Sequence, residues 1–235
     1  LDLKPSNVMF RDSGEAVRAY GQALEIARNE DDSQNEALTL FKLGHAQLDN
    51  SDPDGAAQTW EQALKLFRTQ GKRDYEGRAL GGLGTAYGEL GRWMEAINFH
   101  TSALHIAREV KDREEEALQL SYLGQAAIEA NQLGQAVLRF RQALHLAYQA
   151  NNRENIVSSI VDLVRLLVES RRHLAVAEAL INEAAALEPN DRDVTRLNDR
   201  VKNEKMLAQA EGVAFVEVRG TPQEYAANAY AQLEG

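Results

Sequence analysis

The sequence repeats itself every forty residues. Four stretches share one pattern of alanine, aliphatic and aromatic residues: EAVRAYGQALEIA from Glu15, GAAQTWEQALKLF from Gly55, EAINFHTSALHIA from Glu95 and QAVLRFRQALHLA from Gln135. A second series precedes three of them: LFKLGHA from Leu40, LGGLGTA from Leu80 and LSYLGQA from Leu120. A fixed period of this length predicts a repeat array in which each unit packs mainly against its neighbours.

Within each repeat the apolar residues recur at helical spacing. Leu80, Leu83 and Tyr87 form one stripe, and Ala96 and His100 begin the next. Offsets of three and four place such residues on one face of a helix. The glycine of ELGRWME can end a helix in the left-handed conformation, and the polar stretches NEDDSQ, QGKRD, VKDRE and ANNRE separate the repeats. Each repeat is therefore predicted to be two antiparallel helices joined by a tight turn.

This pattern, L-G-x-A-Y and then A-x-x-x-aromatic-x-x-A-L, resembles the tetratricopeptide repeat. The forty-residue unit resembles the Pins and kinesin light chain branch of that family. The resemblance covers residues 15–189, about four and a half repeats. It implies an all-α fold, a right-handed superhelical solenoid of helix-turn-helix pairs. The last repeat is degraded, because Val164 replaces the glycine, and Ala177 and Ala184 lie forty-one residues after their counterparts.

Two further segments follow the repeats. Residues 190–211 are predicted to form a capping helix, which the end of a solenoid needs to cover its apolar face. Residues 212–235 begin with the strand-like stretch VAFVEVR, which has no obvious pairing strand and is interpreted as crossing a groove, pairing with a second copy or being disordered. Thr221, Pro222 and Glu224 then provide the N-cap, first-turn proline and capping-box glutamate of a short helix.

The N-terminal segment, residues 1–14, contains LDLKPSN, which resembles the catalytic loop of protein kinases. In that loop Asp2 would position the attacking hydroxyl and Asn7 would bind magnesium. The sequence has no glycine-rich loop, strand lysine or Asp-Phe-Gly motif, so we predict that the chain is not an enzyme. Two interpretations stay open: a degenerate first helix, in which Pro5 is costly, or the remnant of an upstream kinase domain.

Composition excludes several classes of site and partner. The net charge of −10 argues against nucleic acid, because such binding depends on Lys and Arg neutralising phosphates. Cysteine is absent, which excludes disulfides and thiolate metal sites and fits a cytoplasmic protein. No apolar run is long enough to span a membrane. The five histidines show no metal-ligand spacing, and the glycines at 82, 84 and 88 lie inside a predicted helix rather than after a strand. We predict no metal and no cofactor.

The resemblance implies a peptide-binding groove lined by the first helix of each repeat. Its positions lie six and three residues before the packing glycine and one, four and five residues after it. In the second and third repeats they are Leu38, Phe41, His45, Leu48, Asp49, Arg78, Gly81, Thr85, Gly88 and Glu89. In the fourth and the degraded repeat they are Leu118, Ser121, Gln125, Ile128, Glu129, Ser158, Val161, Arg165, Val168 and Glu169.

Asp49, Glu89, Glu129 and Glu169 form an acidic row with a period of forty. Each lies near the end of a predicted first helix, where the helix dipole disfavours a carboxylate. The row is interpreted either as a solvated rim or as a set of carboxylates that bind Lys and Arg side chains of a partner.

The third repeat has glycine at two groove positions, 81 and 88. The missing side chains predict either a dip between Phe41 and Ile128 that accepts an apolar anchor, or simply close helix packing. His45, Thr85 and Gln125 occupy sites where the chaperone-binding branch of the family uses asparagine. We therefore expect no binding of an acidic chaperone tail.

Taken together, these patterns predict a protein–protein interaction module that binds a partner peptide, basic in character, in the concave groove. Two alternatives stay open: a self-assembly element acting through residues 212–235, and an accessory region of a larger signalling protein such as a kinase.

Overall fold

The computed structural model describes residues 12–170, 173–212 and 220–230. Within these ranges the chain is all-α and its eleven helices follow one another without a strand, as the sequence predicts. They are α1 (Ser13–Asn29), α2 (Ser33–Asp49), α3 (Pro53–Thr69), α4 (Arg73–Glu89), α5 (Trp93–Val110), α6 (Arg113–Glu129), α7 (Leu133–Ala150), α8 (Arg153–Ser170), α9 (Leu174–Leu187), α10 (Arg192–Ala210) and α11 (Pro222–Tyr230). The chain divides into two compact units, Leu1–Glu115 and Glu116–Gly235.

The turns between the helices repeat every twenty residues. Each of the first seven contains one residue with a left-handed φ between 50° and 71°: Asp31, Ser51, Gly71, Gly91, Lys111, Asn131 and Asn151. Gly91 ends its helix in this conformation, as the sequence predicts. The other six turns reach the same conformation, five of them without glycine, so the packing of the flanking helices sets the turn more strongly than residue type does.

Aspartates begin several of the helices. The Oδ1 atoms of Asp12, Asp32 and Asp52 accept hydrogen bonds from the backbone N–H three residues later, at 2.6, 3.0 and 2.9 Å. Such N-caps satisfy helix donors that have no partner within the helix, and each contributes about 1 kcal/mol. Aspartates in the turns therefore help to fix where these three helices start.

In the first unit, helices that follow one another pack together, and α2 also contacts α4. Trp60 of α3 is fully buried between these two first helices. A Cβ on Gly44 would lie 2.6 Å from the indole Nε1, and one on Gly82 would lie 2.6 Å from its Cε2. The indole Nε1 donates to the carbonyl of Phe41 at 3.1 Å. Glycine is therefore needed on both sides of this ring.

The second unit repeats this contact once and then departs from it. A Cβ on Gly124 would lie 2.6 Å from Cε1 of Phe140, whereas α8 has the buried Val164 at the equivalent position. α10 lies against α9 and α8 and buries Val194 and Val201, in agreement with the predicted cap. α11 packs on α7 and α9. The stretch VAFVEVR, residues 213–219, and the kinase-like stretch at residues 1–7 lie outside the described residues.

Arginine–glutamate pairs join a second helix to the first helix that follows it. Arg28 Nε binds Glu36 at 2.8 Å, and forty residues later Arg68 Nε binds Glu76 at 2.8 Å. The Glu76 side chain is only 11% exposed and also accepts from Arg73 at 2.7 Å. Burial raises the pKa of the Glu76 carboxyl, but the two guanidinium groups outweigh it and hold that pKa below its usual value.

In the described part of the chain, no helix is long and apolar enough to cross a membrane.

The glycine contacts generate a first prediction. Changing Gly44 to Ala places a Cβ inside the van der Waals distance of the buried Trp60 ring. We expect the free energy of unfolding to fall by about 1–3 kcal/mol, the usual range for overpacking a core. Urea unfolding followed by circular dichroism measures it. Gly21→Ala is the matched control, because a Cβ at Gly21 of α1 meets no atom within 4 Å. Equal stability of the two variants would contradict the packing role.

A second prediction concerns Glu76. Because its pKa is lower when the chain is folded, its contribution to stability is present above the unfolded pKa of about 4.3 and is lost as the pH falls through the lower folded value. Glu76→Gln is expected to cost roughly 1–3 kcal/mol at neutral pH, because the charge-assisted hydrogen bonds that Arg68 and Arg73 donate to this largely buried carboxylate are lost. Urea unfolding at several pH values checks this.

The control for Glu76→Gln is Glu61→Gln on α3, where the carboxylate is exposed. The Glu76 variant should lose less stability on acidification than the wild type, whereas the Glu61 variant should follow the wild type. A Glu76 variant with the unchanged acid profile would show that other carboxylates dominate.

Candidate peptide-binding groove

The structure places the predicted groove residues of the first unit on α2 and α4, two helices in contact. Their side chains differ in exposure along each helix. Exposed positions are His45, Asp49, Arg78 and Glu89, and half-buried positions are Leu38, Phe41, Leu48, Thr85 and Gly88. The first helices of this unit therefore form a shared surface with apolar side chains between charged ones.

In the second unit the predicted positions lie on α6 and α8. Exposed positions are Leu118, Gln125, Glu129, Ser158, Arg165 and Glu169, and half-buried positions are Ser121, Ile128 and Val161. Leu118 is 45% exposed, the largest apolar exposure among the predicted groove positions of this unit.

Three predicted positions do not offer a side chain or a depression to a ligand. Val168 is only 2% exposed and belongs to the core of the second unit, so it is not a groove residue. Gly81 is itself buried. A Cβ on Gly88 would lie 3.5 Å from Cζ3 of Trp93, so this indole covers the glycine. The described residues therefore favour close packing over the predicted dip at these two glycines.

An aromatic cluster lies beneath and beside α2. The His45 ring contacts Phe41 and Trp60 edge-on, with ring centroids 4.8 and 5.0 Å away. Phe41 also contacts Tyr75, at 6.0 Å, and Tyr75 stacks on the buried Phe67 at 5.0 Å. Offset and edge-on contacts of this kind hold rings in fixed orientations. The half-buried Phe41 and Tyr75 therefore give the surface a rigid aromatic part.

The acidic row is found where the sequence places it. Asp49, Glu89 and Glu129 are the last residues of α2, α4 and α6, and Glu169 is the last but one of α8. All four are exposed. Within the part of the chain described here, none of them takes part in an ion pair. Their negative charge adds to that of the helix C-termini.

In the first unit, the two basic groove residues do not cancel this charge. Desolvation against the two rings lowers the pKa of His45, which the Asp49 carboxylate opposes, so the imidazole is neutral at physiological pH although part of the residue is exposed. Arg78, the groove arginine of α4, binds Asp112 at 3.2 Å. The described residues contain no group of three or more His, Asp or Glu side chains that could hold a metal ion.

A cleft of about 530 Å³ lies between α1 and α2 and was not predicted. Two groove residues line it, His45 and Asp49, together with Asp12, Ser13, Ala16, Tyr20, Lys42 and Ala46. The sequence contains one sign of this cleft, because Tyr20 lies forty residues before Trp60 and so occupies the same position in its repeat. Glycines of two first helices pack against Trp60. Among the described residues no helix precedes α1, so the Tyr20 ring borders a cleft instead.

Comparison with known proteins agrees with this architecture. The profile of the tetratricopeptide repeat family matches residues 75–149, which run from α4 to the end of α7. No curated protein sequence matches the chain.

Several solved structures share the fold. BtubC (BKLC) from P. vanneervenii is 16% identical with a TM-score of 0.70, and the match covers 94% of this chain and 89% of that one. A Podosopora anserina putative kinesin light chain with nearly identical repeats is 17% identical with a TM-score of 0.56, covering 84% and 89%. A Rap protein complexed with Competence and Sporulation Factor is 17% identical with a TM-score of 0.64, covering 93% of this chain and 64% of that one.

At these identities the likeness concerns the fold alone. The solved structures that share the fold include kinesin light chain repeats. Tetratricopeptide domains bind protein or peptide partners. The periodic sequence, the successive helix pairs and the family profile over residues 75–149 lead to one conclusion: the chain contains tetratricopeptide repeats.

Proposed function

We propose that the chain is an interaction module that binds a basic segment of a partner protein along its first helices. The observation that supports this most is the acidic row, whose four carboxylates are exposed and form no ion pair among the described residues. By contrast, Glu36 and Glu76 on the same helices are bound by arginines of the neighbouring repeat.

The acidic row has opposite effects on the stability of the free chain and of its complex with a cation. A carboxylate at a helix C-terminus is destabilising by a few tenths of a kcal/mol up to about 1 kcal/mol, and a bound cation reverses that sign. Exposed pairs contribute only about 0–1 kcal/mol each because water screens them. The row therefore contributes register and association rate more than affinity, and salt should weaken its effect.

The aromatic part of the surface supplies the contacts that charge does not. Phe41 and Tyr75 are half-buried and held by neighbouring rings, so little side-chain entropy is lost when a partner covers them. Lys and Arg side chains combine an apolar stem with a cationic head. One such side chain can lie over Phe41 while another residue of the same segment binds Asp49, which lies about 12 Å further along α2.

The Rap protein crystallised with Competence and Sporulation Factor supports this proposal by analogy of fold alone. Its sequence is only 17% identical, so no contact residue is carried over. The row also makes nucleic acid an unsuitable ligand, because phosphates would meet carboxylates. We place the module in the cytoplasm, in keeping with the absence of cysteine.

We further propose that the module acts by binding and without catalysis of its own. Incubation of the purified chain with magnesium and ATP should release no phosphate above the buffer background. Magnesium-dependent turnover that follows the protein through purification would overturn this part of the proposal.

The acidic row generates a third prediction. A random peptide library displayed on phage and selected on the purified chain should enrich Lys- and Arg-rich sequences. The double variant Glu89→Lys and Glu129→Lys should bind the selected peptides about tenfold more weakly, and the salt dependence of binding should flatten, since fewer charge contacts remain. Fluorescence anisotropy at 50 mM to 500 mM salt provides the measurement.

The control changes net charge by the same amount elsewhere. Glu25→Lys and Glu61→Lys alter exposed residues of the second helices α1 and α3 and should leave the affinity within about twofold. Selection of peptides without basic residues, or equal losses in the two double variants, would show that the row is only a solvated rim.

A further inference from the structure

The last described helix, α11, docks on a face that belongs to other repeats. Its main contacts are with α7, with fewer to α9. It has no comparable contact with α10, the helix that precedes it along the chain. The position of α11 is therefore determined by the surface of α7 and α9 rather than by its neighbour in sequence.

Arg141 of α7 is the polar anchor of this contact. Its Nε and Nη2 donate to the backbone carbonyl of Tyr225 at 3.0 and 2.6 Å. Its guanidinium carbon lies 4.1 Å from the centroid of the Tyr225 ring. One side chain thus makes a charge-assisted hydrogen bond and a cation–π contact with the same residue.

The adjacent residue of α11 is the apolar anchor. Ala226 is fully buried and belongs to the core of the second unit. A small side chain at this point allows the backbone of α11 to approach α7 closely. α11 therefore contacts this face through a polar anchor at Tyr225 and an apolar anchor at Ala226.

α11 depends on this face for its own stability. It has nine residues, whereas isolated helices shorter than about 12–15 residues are marginal in water. A capping box assists it, since Thr221 Oγ1 accepts from the Glu224 N–H at 3.2 Å and Glu224 Oε2 accepts from the Thr221 N–H at 2.7 Å. Capping alone cannot hold so short a helix, so α11 is ordered where this face is available.

We propose that the face of α7 and α9 is a second docking site, and that it accepts α11 from a second copy of this chain. The contacts are identical whichever chain supplies the helix, because they join α11 to α7 and α9 and not to α10. Exchange of an identical element is a low-cost route to a dimer. The site differs from the acidic groove, because Arg141 lies on a second helix, and it does not rest on the proposed peptide binding.

The segment of the chain that joins α10 to α11 determines when exchange occurs. A helix joined by a short segment sees its own docking site at an effective concentration in the millimolar range. The closed monomer therefore dominates in dilute solution, and the exchanged dimer gains at high protein concentration or whenever α11 is displaced. α11 acts as an internal competitor for its own site.

The test uses the full chain and a labelled peptide with the sequence of residues 219–235 as the probe for a second copy's α11. The Tyr225→Ala chain loosens its own α11 and leaves α7 and α9 intact, so it should bind the peptide at least about tenfold more tightly than the wild type, which corresponds to about 1.4 kcal/mol. Adding Arg141→Ala should abolish that gain. Gln223→Ala, an exposed position of α11, should behave as the wild type does.

Two further measurements keep the result interpretable. Circular dichroism shows whether each variant is folded. Arg141→Lys keeps the charge but loses the planar fork of the guanidinium, so when it is added to the Tyr225→Ala chain the peptide should bind weakly. Light scattering of the wild type should show a dimer fraction that rises with concentration and falls in the Arg141→Ala chain. No peptide binding by the Tyr225→Ala chain, binding that survives Arg141→Ala, or a monomer mass at every concentration would each overturn the proposal.

Discussion

The contact between a helix glycine and an aromatic ring is the constraint on which the rest of this structure depends. Gly44, Gly84 and Gly124 each leave room for a ring of the next helix, and a Cβ would come within 2.6–2.7 Å of that ring. The ring is Trp60, His100 or Phe140, so its shape varies while the approach distance does not. Because this contact sets how closely the two helices pack, it also sets which face of the first helix points away from the core.

Charge is distributed according to that geometry rather than scattered. The arginines near the ends of second helices bind glutamates at the start of the next first helix, as Arg28 and Arg68 do. The opposite ends of the first helices have acids without such partners, of which Asp49 and Glu89 are the clearest. Four carboxylates therefore lie at one kind of position, the C-terminal end of a first helix. A partner that recognises this protein by charge would meet helix C-termini and not the junctions between repeats.

The period of the sequence predicts the regular part of the fold. Helix pairs, turn positions and the row ending with Glu169 follow from residue type at fixed intervals, since each contact recurs in several repeats. Contacts that occur once leave no such signal. Trp93, the first residue of α5, covers Gly88 near the end of α4. Arg141 and Tyr225, 84 residues apart, share no pattern that sequence alone would connect. The positions of the predicted groove residues on the first helices were therefore accessible in advance, whereas the position of α11 was not.

Contacts that occur only once are found at the end of the array, where the repeat pattern is lost. Val164 occupies the position of the packing glycine, so an aromatic ring cannot lie against α8 as it does in earlier repeats. The following helix is shifted by one residue in sequence, and non-repeating helices, α10 and α11, complete the core of the second unit. Where no glycine sets the spacing between helices, each contact depends on its own side chains, such as the hydrogen bonds and the cation–π contact between Arg141 and Tyr225. Regular repeats thus provide a surface common to many such proteins, and the degraded end is where this chain acquires contacts of its own.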